Sequence, residues 1–446
     1  MSEKVGARTA AIISLNALGK QDRYLISEDT TESLFSNDVK RHADFRKYHR
    51  VTNVPKNSNK DSWPFGEKIK VTFNPQNMGD LLSNMYIRIK LPILQPGDNY
   101  ADQIGRHIFK SVTMRVDELE VEKLYDDWAI IYDELYSEIT EKIANRYLLN
   151  RNLPFDSSEN NIIFAQFESE VIIPLHFFFS RKFASDEYSS NKPNRPYFPL
   201  CSIHKQKIEF EFDVHKQSFF TNSVSTIGLA DFDIITEEIT LPPDERIYFM
   251  KQNQTLITDL VFKHPTTTTE MYTNILKNNI VANVPVKCIH WFFRNEKFEN
   301  EDDPLGVPVS IDDGEYLFHN RFNFSSNVNF DQTYTFFSPV MYEAKFNING
   351  NRLPNITSTN HSFYKYLIPH QKRLSRPIRN IYTYSFSMNP MNVEPSGSLD
   401  FSNIQSEKTN IEIQLEPYLT DTYTLHMYYT GYQTFKFENG FMRVAY

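Results

Sequence analysis

The sequence predicts an all-β protein built as two β-sandwiches in tandem. Short runs of alternating apolar and polar residues dominate it, aromatic residues make up 14% of the chain, and a single segment has a convincing helical period. Alternation places successive side chains on opposite faces of a pleated strand, and aromatic rings suit a half-buried pleated surface. One sandwich rarely needs 446 residues; two units of about 200 fit the length better.

Residues 1–23 lack strand patterning and read as an N-terminal arm. Strands are then expected at 68–73 and at 86–91, the latter stopped by Pro92. The clearest is 207–214, where Lys207, Glu209, Glu211 and Asp213 alternate with Ile208, Phe210, Phe212 and Val214. Further strands are expected at 231–241, 255–262, 286–294, 342–348, 381–388, 410–415 and 422–437. The helix is expected over 126–148, where Trp128, Ile131, Leu135, Ile139, Ile143 and Tyr147 recur at helical spacing behind an acidic first half. A shorter helical turn fits 243–250, with Pro243 at its start and Asp244 and Glu245 in its first turn. The break falls at Leu241-Pro-Pro-Asp244, giving units 24–242 and 243–446. No residue-level repeat relates them, so a duplication would be visible only in structure.

Composition narrows the function. Net charge is −9, which does not support wholesale electrostatic binding of nucleic acid. The dense basic run, with Lys40, Arg41, Arg46, Lys47 and Arg50, reads either as a salt-bridged face or as a patch facing acidic partners or lipid headgroups. Cys201 and Cys288 are too few for a disulfide framework or a structural zinc site, so both read as buried free thiols in a reducing compartment. The N-terminus has no apolar signal core, and the longest apolar run, 171–179, is broken by Pro174 and His176 and is too short to span a bilayer. A soluble protein made in the cytosol is expected.

Chemistry is sparse. There is no nucleophile elbow, phosphate-binding loop, paired-cysteine motif or cupin-type histidine pair, so no catalysis, metal or cofactor is expected. Glu301, Asp302, Asp303, Asp312 and Asp313 read as solvated loop tips. Polar stretches at 154–169, 185–199, 295–313 and 349–361 are long for loops of a compact domain, which suits outward or inter-subunit contacts. Sequons stand at Asn253, Asn323, Asn355 and Asn360, weak signals in a cytosolic protein. Residues 394–398 read as a tight turn, because Pro395 fixes one backbone angle and Gly397 permits positive φ.

Around that turn the sequence becomes specific. Asn380-Ile-Tyr-Thr-Tyr-Ser-Phe-Ser-Met-Asn-Pro390, followed by Glu394-Pro-Ser-Gly-Ser-Leu-Asp-Phe-Ser-Asn-Ile404, resembles a pattern of the double-jelly-roll major capsid proteins of large eukaryotic DNA viruses, such as iridoviruses and algal viruses. The matching positions are Tyr384, Ser385, Phe386, Pro390, Pro395, Ser396, Gly397 and Phe401. Three more blocks follow the family in order: Gly19, Gln21, Asp22 and Tyr24 near the N-terminus, Pro174 and Arg181 in Ile173-Pro-Leu-His-Phe-Phe-Phe-Ser-Arg181, and Glu245 and Arg246 in the linker. Two departures stand out: Ile26-Ser-Glu-Asp replaces the usual Gly-Asn-Pro after Leu25, and Leu399 replaces a frequent cysteine.

The resemblance implies two tandem eight-stranded antiparallel jelly rolls with short helices in inter-strand insertions, the matched residues serving turns and packing. It also implies a homotrimer of pseudo-sixfold outline that tiles an icosahedral shell, usually over an inner membrane. Partners would be neighbouring capsomers and minor capsid or penton proteins, with no specific nucleic acid; the protein would be made in the host cytoplasm and reside in the virion. A minor or penton-type paralogue of the same lineage is one alternative. A tandem jelly-roll carbohydrate-binding protein is another, from a different class.

Overall fold

A computed structural model gives the architecture. It describes residues 42–445 except 57–61, 97, 99, 101–103, 150–168, 182–195, 222, 252, 271–273, 301–308, 312–315, 319, 327–337, 403 and 405–407. Outside the described residues lie the expected arm, Gly19, Gln21, Asp22, Tyr24, Lys40 and Arg41, together with most of the long polar stretches 154–169, 185–199 and 295–313.

Among the described residues, eight strands longer than two residues form the first half: β1 Arg46–Asn53, β2 Lys68–Phe73, β3 Leu81–Leu91, β4 Phe109–Val116, β5 Leu119–Tyr125, β6 Ser169–Pro174, β7 Ile208–Val214 and β8 Asp231–Thr240. They make two antiparallel sheets in the orders β1-β8-β3-β6 and β2-β7-β4-β5. Sheets that share out successive strands in this way are a jelly roll. Besides a separate hairpin of Val309–Ile311 with Tyr316–Phe318 and strands of two residues, the second half contains β9 Gln254–Lys263, β10 Ile275–Asn279, β11 Pro285–Asn295, β12 Met341–Ile348, β13 Asn351–Leu353, β14 Tyr382–Ser385, β15 Asn410–Leu415 and β16 Tyr423–Glu438. Its sheets run β9-β16-β11-β14 and β10-β15-β12-β13, the same orders with eight added to every number. A terminal strand, β17 Phe441–Val444, pairs back onto β16. The duplication that the residues do not reveal is therefore plain in the topology.

Amphipathic strands sit as their pattern predicts. In β7 the even-numbered Ile208, Phe210, Phe212 and Val214 are buried, while Lys68 and Lys70 of the adjoining β2 meet Glu211 at 2.8 and 3.1 Å on the outer face. Two central strands of the second jelly roll are covered on both faces. Ile289, Trp291 and Phe293 of β11, with Leu425, Met427 and Tyr429 of β16, fill the core of their own jelly roll. Phe292 and Tyr428 turn the other way, into a core shared with the first jelly roll. There Phe178 meets Phe435 at 5.8 Å and Trp128 meets Tyr428 at 6.2 Å. The two jelly rolls thus meet across an apolar seam, and burial on both sides explains why β11 carries apolar residues on both of its faces.

Helices fill the connections: α1 Ile104–His107, α2 Asp126–Leu135, α3 Ile139–Leu148, α4 Pro243–Lys251 and α5 Ile368–Gln371. The single helix expected over 126–148 is instead two. The Tyr136 N–H closes α2 on the Tyr132 carbonyl, and Glu138 takes extended backbone and starts α3 through a capping box with Glu141. Helical spacing runs across the break, yet Ile139 is 76% exposed, so the periodicity there does not mark a buried face. The expected loop 349–361 also needs correction, since it contains β13, and the strand expected at 381–388 ends at Ser385. Both cysteines are buried free thiols. Asn323 is buried too, leaving no room for a glycan, whereas Asn253, Asn355 and Asn360 are exposed.

Candidate functional site

The charged residues that matter most lie inside the seam. Arg181, just after β6, is buried and pairs with Glu122 of β5; its guanidinium also donates to the Asp259 carbonyl of β9 at 2.7 Å and to the His176 carbonyl at 3.0 Å. Glu122 in turn accepts the backbone N–H of Phe178 at 2.8 Å and of Val261 at 3.1 Å. Burial draws the Arg181 guanidinium down to about 10, still far above neutrality, so it remains a cation. Asp259 receives the Lys287 ammonium of β11 at 3.1 Å. Burial pushes the Asp259 carboxyl up, but Lys287 and Arg181 more than reverse this and hold it below its ordinary range.

Lys287 connects this cluster to the Pro-Ser-Gly segment. Its ammonium donates to the Asn392 carbonyl at 2.6 Å, and its own carbonyl accepts the Phe386 N–H at 3.0 Å. Tyr384 and Ser385 pair with Ile289 and Cys288 on β11. Phe386 packs between Tyr384 and Phe401 at 5.2 and 5.8 Å, and Pro390 is buried. The Ser396 hydroxyl donates to the Asn389 carbonyl and accepts its N–H, while the Ser396 N–H reaches the Tyr432 hydroxyl at 3.3 Å. Pro395 is exposed. Gly397 has φ +126°, and a Cβ there would stand 3.0 Å from the Phe386 carbonyl oxygen, so only glycine fits without strain. The structure therefore brings Arg181 and the matched residues of segment 384–401 into one connected neighbourhood.

The other matched residues sit elsewhere. Pro174 ends β6 opposite Tyr86. Glu245 is half-buried on α4, and Arg246 pairs with Asp80 at 2.9 Å, tying the linker helix to the start of β3. On β1, Arg46 is exposed, Lys47 pairs with Glu237, and Arg50 meets Glu238 at 3.2 Å.

Two further ion clusters cross the seam, and sequence reasoning missed them. Arg294 of β11 pairs with Asp127 at the start of α2 and approaches Glu299 at 3.4 Å; Asp127 also accepts the Tyr428 hydroxyl at 3.1 Å. Burial alone would raise the Asp127 carboxyl, but Arg294 and then His426 hold it well below the carboxylate range. Glu299 is held at about 2 by the same two groups against its own burial. At the other end of α2, Glu134 pairs with Arg379 and accepts the N–H groups of Ile378 and Arg379 at 2.8 and 2.9 Å. A signal was present in the sequence: Asp259, Lys287 and Arg294 each interrupt or flank an apolar strand run, where a charge must find a partner.

These arrangements hold two folded units together. Among the described residues no cluster of three or more His, Cys, Asp or Glu side chains is arranged to hold a metal ion. No helix among the described residues is long and apolar enough to cross a membrane.

Comparison with known proteins agrees with the geometry. A family profile described as major capsid protein N-terminus matches residues 33–246, and one described as large eukaryotic DNA virus major capsid protein matches 245–442. The major capsid protein of Paramecium bursaria Chlorella virus 1 is 23% identical over 402 residues, covering 88% of this chain and 84% of its own. That of Pyramimonas orientalis virus is 24% identical over 464, covering 98% of each. Among solved structures, a chain of the Paramecium bursaria Chlorella virus 1 capsid superposes with TM-score 0.69 at 16% identity, over 93% of this chain and 100% of that one. The Faustovirus major capsid protein gives 0.62 at 12%, over 91% and 92%. At such identities the structures speak for the fold, and the profiles speak for the family. A repeated jelly-roll order bolted across one seam, under two capsid profiles laid end to end, identifies the chain as a member of the double-jelly-roll major capsid proteins of large eukaryotic DNA viruses, structural proteins of the virion shell.

Proposed function

We propose that three copies of this chain close into a capsomer of pseudo-sixfold outline, and that such capsomers tile an icosahedral shell. The observation that carries this is the repeated strand order: one chain supplies two units of the same topology, so a threefold axis arranges six similar units in a ring. The units are residues 24–242 and 243–446, with α4 as the linker and 1–23 as an arm. Ile93, Val224, Ile257, Tyr342, Met388 and Tyr418 are exposed apolar side chains available for burial between copies. The chain works by assembly rather than catalysis. It meets neighbouring capsomers and minor or penton proteins in the virion, after synthesis in the host cytoplasm.

The test is the mass of the purified protein by light scattering. A species of three times 52.5 kDa that survives dilution is expected; a well-folded single chain at micromolar concentration contradicts the proposal. Strand β1 receives a humbler role. With Lys47 and Arg50 engaged by buried carboxylates, its cations serve as a salt-bridged face rather than a lipid-binding patch. Alanine at Arg46, Lys47 and Arg50 together should cost roughly 1–2 kcal/mol of stability and leave binding to anionic liposomes unchanged. Lost liposome binding at unchanged stability would return these residues to an inward-facing role.

A further inference from the structure

The seam within one chain has a direction. The first jelly roll contributes α2, which connects β5 to β6, and the second contributes the outer face of β16 and β11, where Tyr428 and His290 are register partners. The Trp128 ring of α2 stands 6.2 Å from Tyr428 and 5.8 Å from His290, and just after α2 the Tyr136 hydroxyl meets His290 Nε2 at 2.8 Å.

Each half of that contact has a counterpart elsewhere in the chain. The repeated strand order makes β8 and β3 the equivalents of β16 and β11. Ile234 and Ile87 point into the core, so Ile235 and Tyr86 turn outward. On that outer face Val51, Ile235, Tyr86 and Pro174 lie side by side as register partners across β1, β8, β3 and β6. Val51 is 45% exposed, and the other three are half-buried. The rows on either side are polar and already paired: Asp233 holds Arg88 at 3.0 Å and Asn53 at 2.7 Å, while Glu237 holds Lys47 and Asn84. An apolar partner could therefore cover this row without stranding a charge.

The equivalent of α2 is the connection between β13 and β14, residues 363–371, a π-helical turn running into α5. Its inner side is fixed by Tyr364, which is buried 5.0 Å from the Trp291 ring. Its outer side presents Leu367, 44% exposed, and Ile378 follows just beyond it, 57% exposed.

We propose that the seam is repeated between copies: the outer face of β1, β8 and β3 in one copy receives residues 363–371 from the second jelly roll of the next. This rests on the trimeric reading above and names the faces that a trimer would use. Six similar units in a ring need the same head-to-tail contact at every junction. Within a chain α2 makes it; between chains its equivalent does. The occupant of the Val51 row is thus a second copy of this chain, since the element that fits there is one the chain itself carries at the equivalent place.

The test is Val51→Cys combined with Leu367→Cys in the full chain, treated with a short bis-maleimide and run on a denaturing gel. Cys201 and Cys288 are buried, so the introduced thiols react first. Bands at two and three times the mass of the chain are expected from the double variant and from neither single variant, because a head-to-tail contact brings unlike surfaces together. Equal bands from either single variant overturn the placement. So does a double variant that is trimeric by light scattering yet stays at single-chain mass, and that result leaves the trimer standing. A monomeric wild type defeats the trimer and this contact with it. Should the double variant not assemble, hydroxyl-radical footprinting of the wild-type trimer decides. Val51 and Leu367 should both lose the reactivity that their exposure in one chain allows; full reactivity at either overturns the contact.

Discussion

Arg181, Arg294 and Lys287 are among the least exposed of the described residues, and each has a basic side chain. Removing such a charge from water is expensive unless carboxylates and carbonyls replace the lost hydration, and Glu122, Asp259 and Asp127 do so here. Truncating one partner leaves the other buried and unmatched. Arg294→Met is therefore expected to destabilise the fold by about 3–5 kcal/mol in urea unfolding, and the double change with Asp127→Leu to recover most of that. If the single and double variants lose equally, the pair is not a coupled bolt. At this scale the sequence was half legible. Arg181 belongs to a motif, whereas Glu122 lies in Leu119–Tyr125, a segment where the sequence predicts no strand. Its burial depends on Phe178 and Val261 of distant segments donating to it, which no local pattern reveals.

Elements were legible where one face meets water. β2 and β7 alternate cleanly because their outer faces carry the lysine and glutamate ladder. β4 hides its pattern, since Ser111 and Thr113 are polar yet buried, and β1 was read as a basic run because its strand character comes from full register with β8. The α2–α3 break escaped periodicity analysis because two carboxylates, Glu138 and Glu141, cap each other's backbone rather than disturb the spacing. Glu138→Ala should cost about 1 kcal/mol, seen as faster hydrogen exchange confined to α3; an unaltered α3 would mean the cap is ornamental. Gly397→Val should cost roughly 1–3 kcal/mol, through a disfavoured backbone angle and contact with the Phe386 carbonyl, as measured by thermal unfolding. A neutral result would mean the Pro-Ser-Gly turn tolerates an ordinary backbone conformation.

For the whole molecule, composition and alternation yielded two all-β units, and the jelly-roll topology came from the motif around Tyr384 and Gly397. Strand order itself was beyond reach, because pairing such as β1 with β8 joins residues nearly two hundred positions apart. The structure shows what that order achieves: one chain carries the same topological unit twice, joined by an apolar seam with three ion clusters across it. The central claim is that this pair is the repeating third of a capsomer. Electron cryomicroscopy of the purified protein tests it most directly. Class averages should show threefold particles whose outline is nearly sixfold, with two jelly rolls per chain in the ring. Particles of single chains, or rings with any other number of subunits, would contradict the account.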